Sequence, residues 1–134
     1  MIGDKNISKH FKYKEWFSEK TLQTYALEDK DPRRLLDNRI LEAAEALREH
    51  FGKPVRICSE DSQRRGYRTP QENEAVGGVK TGDIQDSMHV FGRAMDVSVD
   101  GVEPQEVFDW LDDFTGVKFV KLYDTFVHTD VGTR

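Results

Sequence analysis

The sequence has a single cysteine, Cys58, among 134 residues, so no internal disulfide can hold the fold together. A chain of this length can instead bury a hydrophobic core large enough to stabilise one domain. Cys58 could act as a nucleophile or a metal ligand. Its place in the apolar run Val55–Cys58 favours a small buried side chain at the end of a strand.

Long apolar runs and an excess of positive charge are also missing. No run approaches the roughly 20 residues that span a bilayer, so we expect no membrane insertion. The net charge of −5 leaves no basic excess for a nucleic-acid backbone, so we expect no nucleic acid as partner. Residues 1–6 are polar and lack the apolar core of a secretory signal. If the chain is complete, we expect a monomer that is synthesised in a cytoplasm.

Apolar residues at three- and four-residue spacing predict two amphipathic helices. The first runs from Leu35 to Phe51 and ends at Gly52, and the second covers Pro104–Thr115. A proline at the first turn predicts a short third helix over residues 69–78. The polar residues 18–33 predict a loop with at most one helical turn, and the polar residues 79–86 predict a second loop.

Runs of β-branched residues predict four strands. In the third quarter of the chain, alternation of side chains places Asp96 opposite the packed apolar face, towards a cleft. Helices on one side of a small antiparallel sheet give an α+β fold, in a single domain over residues 1–134. The predicted strands are Pro54–Ser59, Arg93–Val99, Lys118–Tyr123 and Phe126–Val131.

Two histidines and a carboxylate suggest a catalytic metal. His89 and Asp96 are seven positions apart, and His128 lies 32 positions beyond Asp96. Two histidines and one aspartate can hold zinc and leave a fourth position for a water whose pKa falls towards about 7. Spacing alone leaves alternatives open: His89 could be a loop histidine with local hydrogen bonds, and Asp96 could pair with Arg93 or with an amide.

Short motifs around these residues occur in a fixed order. They resemble the zinc D-Ala-D-Ala carboxypeptidase and endopeptidase family, whose fold is shared with the Hedgehog signalling domain. The resemblance spans nearly the whole chain and implies that fold. The motifs are H-F at His10–Phe11, G-Y-R-T-P at Gly66–Pro70, V-G-G at Val76–Gly78, S-x-H-x-x-G-x-A-x-D at Ser87–Asp96 and F-V-H-x-D at Phe126–Asp130.

The resemblance implies roles for residues around the predicted cleft. It implies that Arg68 points into the site and stabilises the substrate carbonyl, as a guanidinium can; a surface salt bridge is the alternative. Tyr67 and Ser87 are implied to bind substrate, with Ser87 also placed to contact a ligand. Gly92 would let the chain pass closely between two ligands. The implied cofactor is Zn²⁺, with His89, Asp96 and His128 as its ligands.

The general base is where this sequence departs from the family. Several branches have Glu or Asp three positions before the last zinc histidine, where this chain has Thr125. A threonine cannot accept a proton from water at neutral pH. Asp124 is one candidate substitute. Asp130 is another, although its place two residues after His128 favours a role in supporting that ligand.

The resemblance implies hydrolysis of stem or cross-link peptides of peptidoglycan at a D-amino-acid residue, by a carboxypeptidase or endopeptidase. A small chain without an export signal fits a bacteriophage lysis enzyme or a virion-associated enzyme that reaches the cell wall from the host cytoplasm. Thr125 motivates a second hypothesis, a metal-binding recognition or structural module that has lost hydrolysis. The inserted residues 60–65 and the longer segment 79–86 flank the predicted cleft and could change substrate choice.

Overall fold

The computed structural model describes residues 2–57, 66–78, 80–81, 84–85 and 87–132. Predictions for Cys58, Ser59 and the insertion 60–65 lie outside the described residues. Two 3-10 helices occupy Ile2–Asp4 and Pro32–Leu35. Within the described ranges, the α-helices are α1 (Tyr13–Trp16), α2 (Glu19–Leu27), α3 (Asn38–Phe51), α4 (Pro70–Ala75) and α5 (Pro104–Asp112).

Four antiparallel strands form the main sheet, and their order across it is Val55–Arg56, Ala94–Val99, Val127–Asp130 and Phe119–Leu122. The α+β fold class is therefore confirmed, and each of the four predicted strands is present with shorter bounds. No helix among the described residues has both the length and the apolar character that crossing a bilayer requires. The strands are β1 (Val55–Arg56), β2 (Lys80–Thr81), β3 (Ile84–Gln85), β4 (Ala94–Val99), β5 (Phe119–Leu122) and β6 (Val127–Asp130).

The long helix α3 supplies one side of the core. It begins at Asn38, three residues later than predicted, because the Asp37 side chain accepts a hydrogen bond from the Arg39 amide and caps the first turn. Its apolar stripe is buried, with Ile40 and Leu47 fully inaccessible to solvent. The helix ends as predicted where Gly52 adopts a left-handed conformation, with φ 64°.

A nine-residue helix, α2, occupies part of the region that the sequence predicted to be a loop, and that prediction is wrong. The hydroxyl of Ser18 accepts a hydrogen bond from the Thr21 amide and starts the helix. Thr21 and Leu22 are buried, whereas Leu27 at its end is exposed. Because so little of this helix enters the core, its sequence carries no apolar stripe at helical spacing.

The segment 79–86 also differs from the predicted loop where it is described. Lys80–Thr81 pairs with Ile84–Gln85 as a small antiparallel ribbon, β2–β3. Strands of two residues are too short to produce a detectable alternation of side chains. The helix before them is confirmed: Thr69 and Glu72 form reciprocal hydrogen bonds that cap the first turn of α4.

The aromatic residues near the N-terminus hold the segment that precedes α4. Trp16 is fully buried and packs edge-on against Phe11, with ring centroids 6.1 Å apart. A Cβ atom at Gly66 would lie 2.0 Å from the Trp16 ring, so only glycine allows this approach. The Tyr67 amide then donates a hydrogen bond to the Trp16 carbonyl, at 3.0 Å. These contacts fix the position from which Arg68 extends.

The turn that precedes β4 is held against the entrance of α3. Gly92 has φ 68°, and its carbonyl accepts a hydrogen bond from the Asp37 amide at 2.9 Å. A Cβ atom at Gly92 would lie 1.7 Å from the Leu35 carbonyl oxygen. The resemblance implied that Gly92 lets the chain pass closely between two ligands; the close contact in the structure is instead with the backbone of the preceding 3-10 helix, which cannot easily move.

Gly92→Ala should lower the free energy of unfolding by about 2–3 kcal/mol, since it combines a left-handed L-residue with a backbone clash. Gly52→Ala is the matched control, because φ is 64° there and no atom lies within 4 Å of the added Cβ. It should cost about 1 kcal/mol. Urea unfolding of the metal-free proteins measures both values. Equal losses would show that the contact with Leu35 contributes nothing.

Candidate metal centre

The sheet register brings two of the predicted ligands side by side. Asp96 on β4 lies directly opposite His128 on β6, so their side chains point to the same face of the sheet. His89 reaches them from the turn before β4. Its carbonyl accepts a hydrogen bond from the Arg68 amide at 3.1 Å, which ties this turn to the segment before α4.

The three side chains converge on one carboxylate oxygen. Asp96 Oδ1 lies 3.3 Å from His89 Nε2 and 3.1 Å from His128 Nδ1. Bonds of about 2.0–2.1 Å at tetrahedral angles place the donor atoms about 3.3–3.4 Å apart, so the observed spacing suits a small metal ion. Among the described residues, this group alone brings three such side chains close enough to hold one.

Hydrogen bonds on the far side of each ring determine which nitrogen faces the centre. His89 Nδ1 lies 3.0 Å from the Gly66 carbonyl oxygen, which can only accept, so Nδ1 carries the hydrogen. In the same way, Asp130 Oδ2 accepts from His128 Nε2 at 3.0 Å. In the neutral rings, the lone pairs of His89 Nε2 and His128 Nδ1 therefore both face Asp96. Three electron-rich atoms in contact require a cation or a proton between them.

In the ion-free protein a proton supplies that positive charge. Burial raises the pKa of Asp96, but the hydrogen bond from His128 opposes this and the pKa stays below its usual range. Burial lowers the pKa of His89. Burial also disfavours protonation of His128, yet its hydrogen bonds to Asp130 and Asp96 raise its pKa to about 9. A metal ion that binds here at neutral pH therefore displaces a proton from His128.

The second oxygen of Asp96 is held by Arg68. Arg68 is buried, with 5% of its surface exposed, and its Nη2 donates to Asp96 Oδ2 at 3.2 Å. Its Nη1 donates to Oδ1 of the fully buried Asn73 at 3.2 Å. The burial excludes the alternative of a surface salt bridge for Arg68. Asn73 positions this guanidinium, and its role could not be derived from the sequence because its partner is known only from the fold.

Ser87 and Tyr67 occupy different environments. The Ser87 hydroxyl accepts a hydrogen bond from the His89 amide at 3.3 Å, and the residue lines the cleft in front of the centre. The Tyr67 ring packs against Phe17, with centroids 5.9 Å apart, and does not line that cleft. The structure thus brings Ser87 to the site and leaves Tyr67 behind it. The substrate-binding roles of both stay predictions.

The two candidate bases, Asp130 and Asp124, also differ in whether they lie at the site. Asp130 is buried beside His128, and both of its carboxylate oxygens accept hydrogen bonds, Oδ2 from His128 and Oδ1 from the Gly132 amide. Asp124 and Thr125 are exposed in the turn between β5 and β6, and neither lines the cleft. The geometry of Asp130 is that of a ligand-orienting residue, and the identity of the base stays a prediction.

A cleft of about 390 Å³ lies in front of the three ligands. One of its walls was missed by the sequence analysis and comes from β5, the residue after it and the residue before β6. The sequence signal for this wall was the alternation of large side chains along the strand that pairs with His128. That these side chains share a face with His128 becomes clear only once the turn at 124–125 is known. These wall residues are Phe119, Lys121, Tyr123 and Phe126.

A larger groove, of about 900 Å³, lies between α2 and the N-terminal 3-10 helix. Apolar side chains such as Ile2, Leu22 and Leu27 line it, and it contains none of the three converging ligands. Chemistry that depends on a metal therefore belongs to the smaller cleft.

Comparison with protein families gives one finding. A family model described as Peptidase M15 matches residues 9–130, which include all three converging side chains and Arg68. No curated protein and no solved structure matches the chain.

His128→Ala should abolish stoichiometric metal binding, because it removes one of three donors. Elemental analysis of protein incubated with zinc and then desalted measures this, with His50→Ala as the control. His50 is exposed and stacks on Trp110, away from the ligands, so its loss should leave the metal content unchanged. Equal zinc in wild type and His128→Ala would refute the assignment.

Asp130→Ala should weaken metal affinity by about 10- to 100-fold, the usual effect of removing a carboxylate that orients a ligating histidine. Competition with a chelator of known affinity measures the dissociation constant. Asp124→Ala removes an exposed carboxylate four residues before His128 and is the matched control. If both variants bind metal as wild type does, the hydrogen bond from His128 to Asp130 has no part in holding the ion.

Proposed function

The chain belongs to the peptidase M15 family, and we propose that it is a zinc-dependent peptidase acting on stem or cross-link peptides of peptidoglycan. The bond cut would lie at a D-amino-acid residue, in the manner of a carboxypeptidase or an endopeptidase. The observation that carries the proposal is the convergence of His89 Nε2 and His128 Nδ1 on Asp96 Oδ1. Two neutral imidazoles and one carboxylate are the donor types that catalytic zinc uses.

Zinc held by His89, Asp96 and His128 would supply a Lewis acid that makes water nucleophilic at neutral pH and polarises the carbonyl under attack. The protein contributes the fixed geometry. Gly66 and Asp130 orient the two imidazoles through their outer nitrogens, and Arg68 holds the free oxygen of Asp96. Because each donor is restrained from behind, little reorganisation is required when substrate binds.

Arg68 is proposed to stabilise the negative charge that develops on the scissile carbonyl oxygen. Its guanidinium lines the cleft beside Asp96 and is held there by Asn73. A buried cation acts through a lower effective dielectric than one in water, so its effect on nearby charge is larger. Ser87 lines the same cleft and is proposed to contact the substrate.

A proton released from water would require an acceptor, and Asp130 and Asp124 are the two candidates. Asp130 lies closest to the ligands, in hydrogen-bond contact with His128. Asp124 would have to approach through movement of the exposed turn between β5 and β6. Activity of the Asp124→Ala protein separates the two, since it should retain metal while losing turnover if Asp124 is the base.

As the setting we propose a bacteriophage lysis enzyme or virion-associated enzyme that acts on the host cell wall as a monomer. The support is the small size of the domain, 134 residues, together with the motif series described above.

A non-catalytic metal-binding module of the same fold is the second candidate. Among the described residues that line the cleft, Asp96 is the only one with a carboxylate, and it faces the two histidines. This described part of the cleft therefore offers no second lining carboxylate to act as a general base. A recognition module would need the metal and the cleft but no such group.

The zinc-loaded protein should release free amino acids or peptides from purified peptidoglycan, and Arg68→Lys should lower kcat by about 100- to 1000-fold. Lysine keeps the charge but loses the paired donors that bind Asp96 and Asn73. Arg56→Lys is the control, since Arg56 forms an exposed ion pair with Asp100 and neither residue lines the cleft. Liberated amino groups and mass spectrometry measure the products.

Zinc-loaded wild-type protein that releases nothing from several peptidoglycan types would favour the non-catalytic module. Equal turnover by Arg68→Lys and wild type would instead leave the peptidase proposal intact and remove Arg68 from the mechanism.

A further inference from the structure

Lys121 shares one row of the sheet with two of the metal ligands. In the β5–β6 register Lys121 lies directly opposite His128, which in turn lies opposite Asp96. Residues paired in this way have Cα atoms about 4.5–5.5 Å apart and side chains on the same face. The flexible stem of Lys121 can therefore bring its ammonium group close to whatever binds beside His128.

The surroundings of Lys121 leave its ammonium group available to a ligand. Its Nζ lies 5.1 Å from the centre of the Tyr123 ring, a cation–π contact that restrains the side chain over the cleft wall. Among the described residues, no carboxylate lies within ion-pair distance of it. Among the described lining residues, Arg68 is the other side chain with a permanent positive charge, and it is already bound to Asp96.

Aromatic side chains flank this lysine. Phe119 and Tyr123 are two residues before and after it on the same face, and they are 51% and 39% exposed. Large aromatic groups with this exposure at the edge of a cleft usually mark a binding surface. A cation between two aromatic rings suits a ligand that carries both a negative charge and an apolar part.

We propose that Lys121 is the anion-recognising residue of this cleft and binds a carboxylate of the substrate within one residue of the scissile bond. The proposal rests on the proposed peptidase function and makes its substrate class narrower. The carboxylate can be the free C-terminus of the peptide or the side chain of an acidic residue. Either forms a charge-assisted hydrogen bond with the ammonium, while Phe119 and Tyr123 contact the neighbouring apolar atoms.

Lys118 provides the matched comparison. It precedes β5, is exposed, and does not line the cleft, while its stem lies beside Gly132. Replacing Lys118 by methionine removes the same charge from the same edge of the sheet. Long-range attraction between the protein and an anionic substrate would respond to both substitutions, whereas direct binding responds to one.

The test uses three short peptides with the zinc-loaded protein. The first is N-acetyl-Lys-D-Ala-D-Ala with a free C-terminus, the second is its C-terminal amide, and the third is an amide in which an acidic D-residue follows the scissile bond. Steady-state KM and kcat are measured for wild type, Lys121→Met, Lys121→Arg and Lys118→Met. Binding of the same peptides to the zinc-free proteins, followed by NMR shifts, gives a readout that needs no turnover.

Lys121→Met should raise KM for the preferred acid by about 10- to 100-fold, with a small change in kcat. Lys121→Arg should restore most of the affinity, and Lys118→Met should behave as wild type. Wild type should bind the neutral amide about as weakly as Lys121→Met binds the preferred acid. Preference for the first peptide over the third assigns the carboxylate to the C-terminus, and the reverse assigns it to a side chain.

Two results would overturn the inference. Wild type could cleave the neutral amide as well as both carboxylate-bearing peptides, or Lys121→Met could keep the full preference for the peptide with the preferred carboxylate; the peptidase proposal would then stand without this contact. A different combination would have the opposite meaning: no peptide is cleaved, but the NMR titration shows a preference for the acid that disappears in Lys121→Met. It would support the carboxylate site and reject the peptidase proposal.

Discussion

The carboxylate of Asp96 is the group on which the rest of the site depends. It is almost fully buried, and three nitrogens, one each from His89, His128 and Arg68, surround it in place of solvent. Its two oxygens have separate partners: Oδ1 faces His89 and His128, and Oδ2 accepts from Arg68. A buried charge of this kind is tolerated only when its partners are fixed. The surrounding fold can be understood as the means of fixing them.

Each partner is secured by a different part of the chain. The sheet register fixes His128, the glycine turn at Gly92 fixes His89, and the buried amide of Asn73 fixes Arg68. The N-terminal aromatics act one layer further out, because Trp16 holds the backbone whose carbonyl at Gly66 orients His89. Substitutions far from the ligands can therefore change the site through these supporting contacts.

Elements that bury a whole face were predictable from the sequence, whereas elements that bury few residues or are very short were not. The stripe of α3 and the alternation of β4 produce strong patterns because a whole face of each element is buried. Helix α2 buries only Thr21 and Leu22, so its residues look like those of a loop. The convergence of His89, Asp96 and His128 was predictable through the resemblance of their motifs to a known family, since their spacing alone left alternatives open. The position of Lys121 and Tyr123 in the cleft wall could not be predicted, because it depends on the register of β5 against β6.

The register that pairs Asp96 with His128 also has a kinetic meaning. Strands β5 and β6 are joined by residues 123–126 and can pair early, whereas β4 and β6 must close a loop of 32 positions before Asp96 and His128 meet. Such non-local pairing is generally slow to form, because chain entropy is lost before contacts compensate for it. An ion held by both strands would bind only the nearly complete fold and would shift the unfolding equilibrium by mass action. The occupancy of the centre would then set how long the folded chain survives in a protease-rich environment, in addition to any chemistry it supports.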